Sequence, residues 1–106
     1  NAYMEGDDTN VKGYTSTRYT ISVGAVGQDG YHASYSTGGA SLFVVAPAGD
    51  YNDRTKHMVA KAGSSGGGCT TTNVGTSFAT PVVSGVVALM LEVNPSLGWR
   101  DVQGIV

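Results

Sequence analysis

The sequence predicts an α/β fold on three observations. Two strand-like apolar runs are separated by a glycine turn, two short strand candidates flank a glycine-serine run, and a long stretch near the C-terminus carries no charge. Residues 19–26, Tyr19-Thr20-Ile21-Ser22-Val23-Gly24-Ala25-Val26, form the first strand: tyrosine, isoleucine and valine alternate with smaller residues, as a pleated strand prefers. Gly27-Gln28-Asp29-Gly30 supplies its stop. Residues 42–45, Leu42-Phe43-Val44-Val45, read as a second strand buried on both faces, since a short continuous apolar run leaves no polar face for water. Residues 47–53 turn the chain. Residues 56–61 and 69–73 then pair as a hairpin around Gly63-Ser64-Ser65-Gly66-Gly67-Gly68. The acidic stretch at residues 5–10 is a surface loop.

Residues 77–91 contain no charged side chain, and a helix apolar on every side is buried in protein or lipid. At about 1.5 Å per residue that stretch spans roughly 22 Å, short of a ~30 Å hydrocarbon core, so it is predicted as a protein-core helix. Valines 82, 83, 86, 87 and 93 are mediocre helix formers, so burial must hold it, and a continuous strand is the competing reading. Pro81 lies close enough to the start to be tolerated, Gly85 would allow a neighbour to approach, and Asn94-Pro95 ends the helix. A second helix begins near residues 97–99 with Trp99, Val102, Ile105 and Val106 on one side.

A chain of 106 residues, 41% hydrophobic and 13% charged, is sized for one small domain and too apolar for disorder. Neither a repeat nor a linker divides it. A net charge of −2 without a basic run supports neither a nucleic-acid partner nor contact with an anionic membrane. Residue 1 is not methionine, and the chain stops on the apolar pair Ile105-Val106 in mid-pattern. The expectation is therefore a piece of a longer chain, whose other segments would cover the uncharged helix.

The run Gly75-Thr76-Ser77-Phe78-Ala79-Thr80-Pro81 places a serine where a glycine turn becomes the first turn of that helix. The first N–H groups of a helix lack internal partners, so with the macrodipole they stabilise negative charge developing beside Ser77. That seat suits a nucleophile for acyl transfer. Ser77 or Thr76 as an ordinary N-cap is the plainer reading, but capping requires neither Ala79 nor Pro81. The pattern Gly-Thr-Ser-x-Ala-x-Pro resembles the nucleophile motif of the subtilisin-like serine proteases. That resemblance implies an α/β fold with a mainly parallel sheet, a buried helix starting at the nucleophile and a β-hairpin before it. It also implies a histidine base and an aspartate, both upstream of residue 1. His32 and His57 lie in no His-Gly-Thr setting and read as surface histidines.

The similarity narrows to the kexin- and furin-type convertases through Gly13-Tyr14-Thr15-Ser16-Thr17-Arg18-Tyr19-Thr20-Ile21-Ser22, which looks like the segment after their oxyanion loop. Asn94-Pro95-Ser96-Leu97-Gly98-Trp99-Arg100-Asp101-Val102-Gln103 is similar to their post-nucleophile helix pair. Counting back from Gly13, the resemblance implies that Asn1 is the oxyanion-hole asparagine, donating to the tetrahedral intermediate opposite the Ser77 N–H. Lys12 stands where convertases carry an aspartate lining the primary specificity pocket, which argues against basic substrates. Asp7 matches one carboxylate of a structural calcium site, whereas Thr37 stands where another is expected. Cys69 coincides with a cysteine whose partner is upstream in those enzymes. Thr9 and Gly39 occupy both positions of a second local disulfide, the pattern of a lost bridge. A secreted or secretory-pathway location is implied.

Other chemistry finds no support. Gly63 to Gly68 lacks the lysine and Ser/Thr of a phosphate-binding loop, and Ser84 lacks a Gly-x-Ser-x-Gly frame. The expected function is a serine endopeptidase acting on protein or peptide substrates through an acyl-enzyme on Ser77. Residues 1–106 would be the C-terminal portion of its catalytic domain, inactive alone. No cofactor is expected for the chemistry, and structural calcium rests on Asp7 alone. A catalytically inactive relative used for binding or scaffolding is the alternative.

Overall fold

The computed structural model describes residues 6–51, 58–61 and 68–106. Over them the chain runs as a 3-10 turn (Thr9–Val11), β1 (Val23–Val26), β2 (Val44–Pro47), β3 (Met58–Lys61), β4 (Cys69–Asn73), α1 (Thr76–Val93) and α2 (Trp99–Ile105). β1 and β2 pair in parallel, from Val23 with Val44 through Val26 with Pro47. β3 and β4 pair antiparallel, with an irregularity between Met58 and Ala60. The α/β class, the hairpin and the helix beginning within the Gly75–Pro81 run are those the sequence predicts.

Both strands of the parallel pair differ from their predicted bounds. β1 starts at Val23 because local side-chain bonds hold the residues before it. The Thr20 hydroxyl donates to the carbonyls of Tyr14 (2.8 Å) and Thr17 (3.2 Å), and the Tyr19 ring lies 5.9 Å from that of Trp99 on α2. The Leu42 N–H turns back to the Gly39 carbonyl at 3.1 Å, so β2 lies two residues later than predicted. It can include Pro47 only at its end, where no N–H is required. β2 is also covered on one face rather than two: Val45 is 48% exposed and Ala46 only 4%.

The other edge of β1 is closed by the segment that follows it. The Ala33 N–H donates to the Ala25 carbonyl at 2.9 Å, and the Ala25 N–H donates to the buried Ser36 hydroxyl at 3.0 Å. These bonds satisfy backbone groups that a sheet edge would leave open.

α1 lies across the parallel pair. Ala79, Val83 and the half-buried Val87 recur every four residues on one stripe, the spacing that keeps side chains on one helical face. Ala79 is fully buried in a cluster with Ala25, Ala33, Ala46 and Ala48, beside Tyr35 and Val83, so much of the core beneath the helix start is methyl groups. Such short side chains let backbone approach backbone. Gly85, the predicted site of close approach, has nothing within 4 Å of where a Cβ would stand. The two-stranded sheet covers only that stripe; Val86, Leu89 and Val93 are exposed, so the helix is not buried on every side by the described residues. At 18 residues it is long and apolar enough to cross a membrane, although its first half is seated on the sheet by Ala79 and Val83. α2 begins where the Asp101 carboxylate accepts the Gly98 N–H at 2.8 Å. Val102 is its buried anchor, while Trp99 and Ile105 face mainly outward, unlike the single apolar side predicted.

Candidate active site

β4 ends at Asn73 and α1 begins at Thr76, so Val74 and Gly75 make the whole strand-to-helix elbow. Gly75 is the N-cap with φ 139° and ψ 154°, backbone that a side chain would strain. Ser77 is the second helical residue. It is exposed although Gly75 and Ala79 on either side of it are buried, so the elbow turns the hydroxyl outward while its flanks anchor in the fold.

No side chain caps the amide end of α1, and no acidic residue occupies its first turn. The Phe78 N–H turns back to the Gly75 carbonyl at 2.9 Å, whereas the Ser77 N–H finds no acceptor among the described residues. Pro81 has no N–H to give the Ser77 carbonyl. Positive potential from the helix end therefore reaches the Ser77 hydroxyl with no carboxylate in the first turn to offset it. A tetrahedral oxyanion formed on Ser77 would meet a free backbone donor there.

Among the described residues nothing is hydrogen-bonded to the Ser77 hydroxyl. His32 is exposed, and its Nε2 donates to the Ser36 carbonyl at 3.1 Å, which suits a surface histidine. Asn1 and His57 lie outside the described residues. Cys69 stands in β4 opposite Lys61.

Lys12 Nζ lies 2.5 Å from the Asp7 carboxylate. Hydrogen bonding from Lys12, with the Lys12 charge adding to it and burial opposing, holds the Asp7 carboxyl below its usual range. Thr37 is buried at 6% exposure and offers only a hydroxyl. No cluster of three or more His, Cys, Asp or Glu converges among the described residues. Among the described residues an ammonium sits against the one carboxylate the resemblance offered, a donor set that falls short of the several oxygens calcium takes. Thr9 and Gly39 are brought together: the Thr9 N–H donates to the Gly38 carbonyl at 3.0 Å, and a Cβ on Gly39 would run into the Thr9 hydroxyl.

Sequence reasoning passed over Tyr35. Buried at 5% exposure, its hydroxyl lies 2.7 Å from the Gly49 carbonyl, 3.2 Å from the Ala48 carbonyl and 2.9 Å from the Gly75 N–H. No local pattern marks it, because Gly75 is forty positions further along the chain. Among the described residues, a groove of about 370 Å³ between Tyr19, Val87, Leu91, Trp99 and Val102 is not lined by Ser77.

The family described as the Subtilase family matches residues 1–106. Proprotein convertase subtilisin/kexin type 7 of Homo sapiens is 37% identical over 109 residues, covering 100% of this chain and 14% of that protein. Kexin of Saccharomyces cerevisiae is 36% identical over 103 residues, covering 97% of this chain and 12% of its own length. Neuroendocrine convertase 2 of Drosophila melanogaster is 39% identical over 101 residues, covering 93% of this chain and 15% of its own. The chain thus spans no more than about a seventh of these relatives. No solved structure matches.

Proposed function

The chain belongs to the subtilase family, and from that premise we propose that the protein carrying it is a serine endopeptidase in which Ser77 is the nucleophile. The Ser77 oxygen bonds to the scissile carbonyl carbon while a histidine takes its proton. The peptide nitrogen leaves with that proton, and water then hydrolyses the acyl-enzyme and restores the hydroxyl. The observation that carries this reading is the exposed Ser77 hydroxyl at the uncapped amide end of α1. Residues 1–106 are read as the C-terminal portion of the catalytic domain, with the histidine and aspartate upstream. The chain spans 14% and 12% of two of its relatives, in keeping with a portion of a longer protein.

Asn1 is proposed as the second oxyanion donor. Replacing it by alanine should cost about 10²–10³ in turnover, and an unchanged rate removes it from the mechanism. Substrates are proteins or peptides, in keeping with relatives named as a proprotein convertase and a neuroendocrine convertase. Lys12 argues against cleavage after basic residues. Its ammonium would repel a basic side chain, although the ion pair with Asp7 tempers that field. Passage through the secretory pathway is proposed from the convertase resemblance. The deciding experiment uses the full-length protein: Ser77→Ala should abolish peptide cleavage and fluorophosphonate labelling together, and retained labelling overturns the assignment.

A further inference from the structure

We propose that Tyr35 is a positioning residue for the nucleophile, acting through the Gly75 peptide. This rests on the reading of Ser77 as the nucleophile. A phenol has one proton to give and lone pairs to receive one, and here both capacities are used. The proton goes to the Gly49 carbonyl at 2.7 Å, with the Ala48 carbonyl more distant at 3.2 Å, and the oxygen accepts the Gly75 N–H at 2.9 Å. One buried atom thus joins the end of β2 to the elbow that presents Ser77.

Each side of this link is fixed separately. The residue after the accepting carbonyls, Asp50, takes the Ser34 N–H at 3.0 Å and the Ser34 hydroxyl at 2.6 Å, so the loop is bound to the neighbour of Tyr35 as well. The Tyr35 ring meets Tyr51 edge-on, with centroids 5.3 Å apart and planes at 72°. On the other side α1 has no side-chain cap. The donor bond from Gly75 to Tyr35 stands where a capping side chain would otherwise set the entry of the chain into the helix. Gly75 itself sits at φ 139°, where glycine has wide freedom, so an external hold on its N–H bears directly on Ser77 two residues later.

Removing the oxygen leaves the Gly75 N–H and Gly49 carbonyl without this partner and lets the elbow drift. Displacements of about 1 Å at a reacting group cost up to about 10²-fold in rate. The test is Tyr35→Phe in the full-length protein, with kcat, KM, fluorophosphonate labelling rate and denaturant midpoint measured on the same preparation. Tyr35 as a positioning residue requires kcat and labelling rate to fall by about 10- to 100-fold with KM within about twofold. An unchanged kcat per folded molecule, whatever the midpoint, overturns it. Replacement of tyrosine by 3-fluorotyrosine keeps the hydroxyl but lowers its pKa, and decides the matter if Tyr35→Phe does not fold. The alkaline limb of kcat must then move to lower pH, relative to a Tyr35→Phe-independent control such as 3-fluorotyrosine at exposed Tyr14; a limb that stays in place overturns the proposal. Labelling of wild type that is absent altogether defeats the nucleophile reading and this one with it. Labelling that is present in wild type and undiminished in Tyr35→Phe defeats this one alone.

Discussion

Lys12 and Asp7 form an ion pair at 2.5 Å across the 3-10 turn that opens the described chain. Asp8 caps that turn by accepting the Asn10 N–H at 2.8 Å, which leaves Asp7 free to face the lysine. The pair holds the Asp7 carboxyl below its ordinary value of 3.8. A depressed acid contributes stability above its unfolded pKa and loses it as pH falls through the folded one, so any contribution belongs to neutral pH and disappears only in strong acid. Both side chains reach solvent, which screens the interaction. Lys12→Met should therefore raise the Asp7 titration midpoint towards 3.8, as read by carboxyl carbon NMR, with little effect on stability. Added salt should do the same in part to wild type. A midpoint that ignores the substitution would show that Lys12 is not the cause.

Gly39 cannot carry a side chain where it stands. Its φ is 142°, and a Cβ would collide with the Asp8 carboxylate and the Thr9 hydroxyl. Gly39→Ala should destabilise the full-length protein by about 1–3 kcal/mol from backbone strain, with the collision adding to it. Gly38→Ala has open space and no positive φ, and should stay within about 0.5 kcal/mol of wild type. Denaturant midpoints of the two variants make the comparison. Equal midpoints would mean that residues 8–9 are not packed on Gly39.

The seam under α1 predicts intolerance to bulk. Ala79 is fully buried in the same cluster as Ala25 and Ala46, two positions beyond Ser77. Ala79→Leu adds three carbons where methyl groups already meet, which should cost about 1–3 kcal/mol and tilt the helix start. Peptide hydrolysis should fall further than the lost stability explains. Hydrolysis by Ala79→Leu that falls no further than its folded fraction would separate Ser77 from the seam.

What the sequence disclosed follows the range over which each interaction acts. The elbow at Ser77 was legible because its determinants are contiguous: Gly75 for the turn, a serine after it, an uncharged helix behind, and Asn94 at the far end. The hairpin was legible for the same reason. β1 and β2 were found but misplaced, because a ladder's extent depends on which partner carbonyls are in reach, and the Thr20 hydroxyl and the Gly39 carbonyl engage backbone and amide groups nearby. The single covered face of β2 and the outward Trp99 depend on what lies above them, which no local pattern states. Tyr35 was hidden altogether, since an aromatic between Ser34 and Ser36 carries no sign that Gly75 will come to meet it.

That same contact sets a prediction for alkaline solution. Burial pushes the Tyr35 phenol above its ordinary value of 10.0; the Gly75 N–H, which favours the phenolate, offsets part of this, and Asp50 and Tyr51 add to the rise. A group whose folded pKa is raised contributes stability that is complete below its unfolded pKa and is lost as pH rises through the folded one. Between the two values the unfolded state has released a proton that the native state retains, so unfolding becomes easier with each step in pH. The chemistry agrees with the sign, because a phenolate has no proton for the Gly49 carbonyl. Unfolding free energy measured from about pH 9 to about pH 12 should fall for wild type, and the fall should be smaller for Tyr35→Phe. Phenolate absorbance followed across the same range should show one tyrosine titrating late in wild type and missing from the variant. Identical pH slopes for the two proteins would mean that this hydroxyl remains as open to solvent in the folded chain as in the unfolded one.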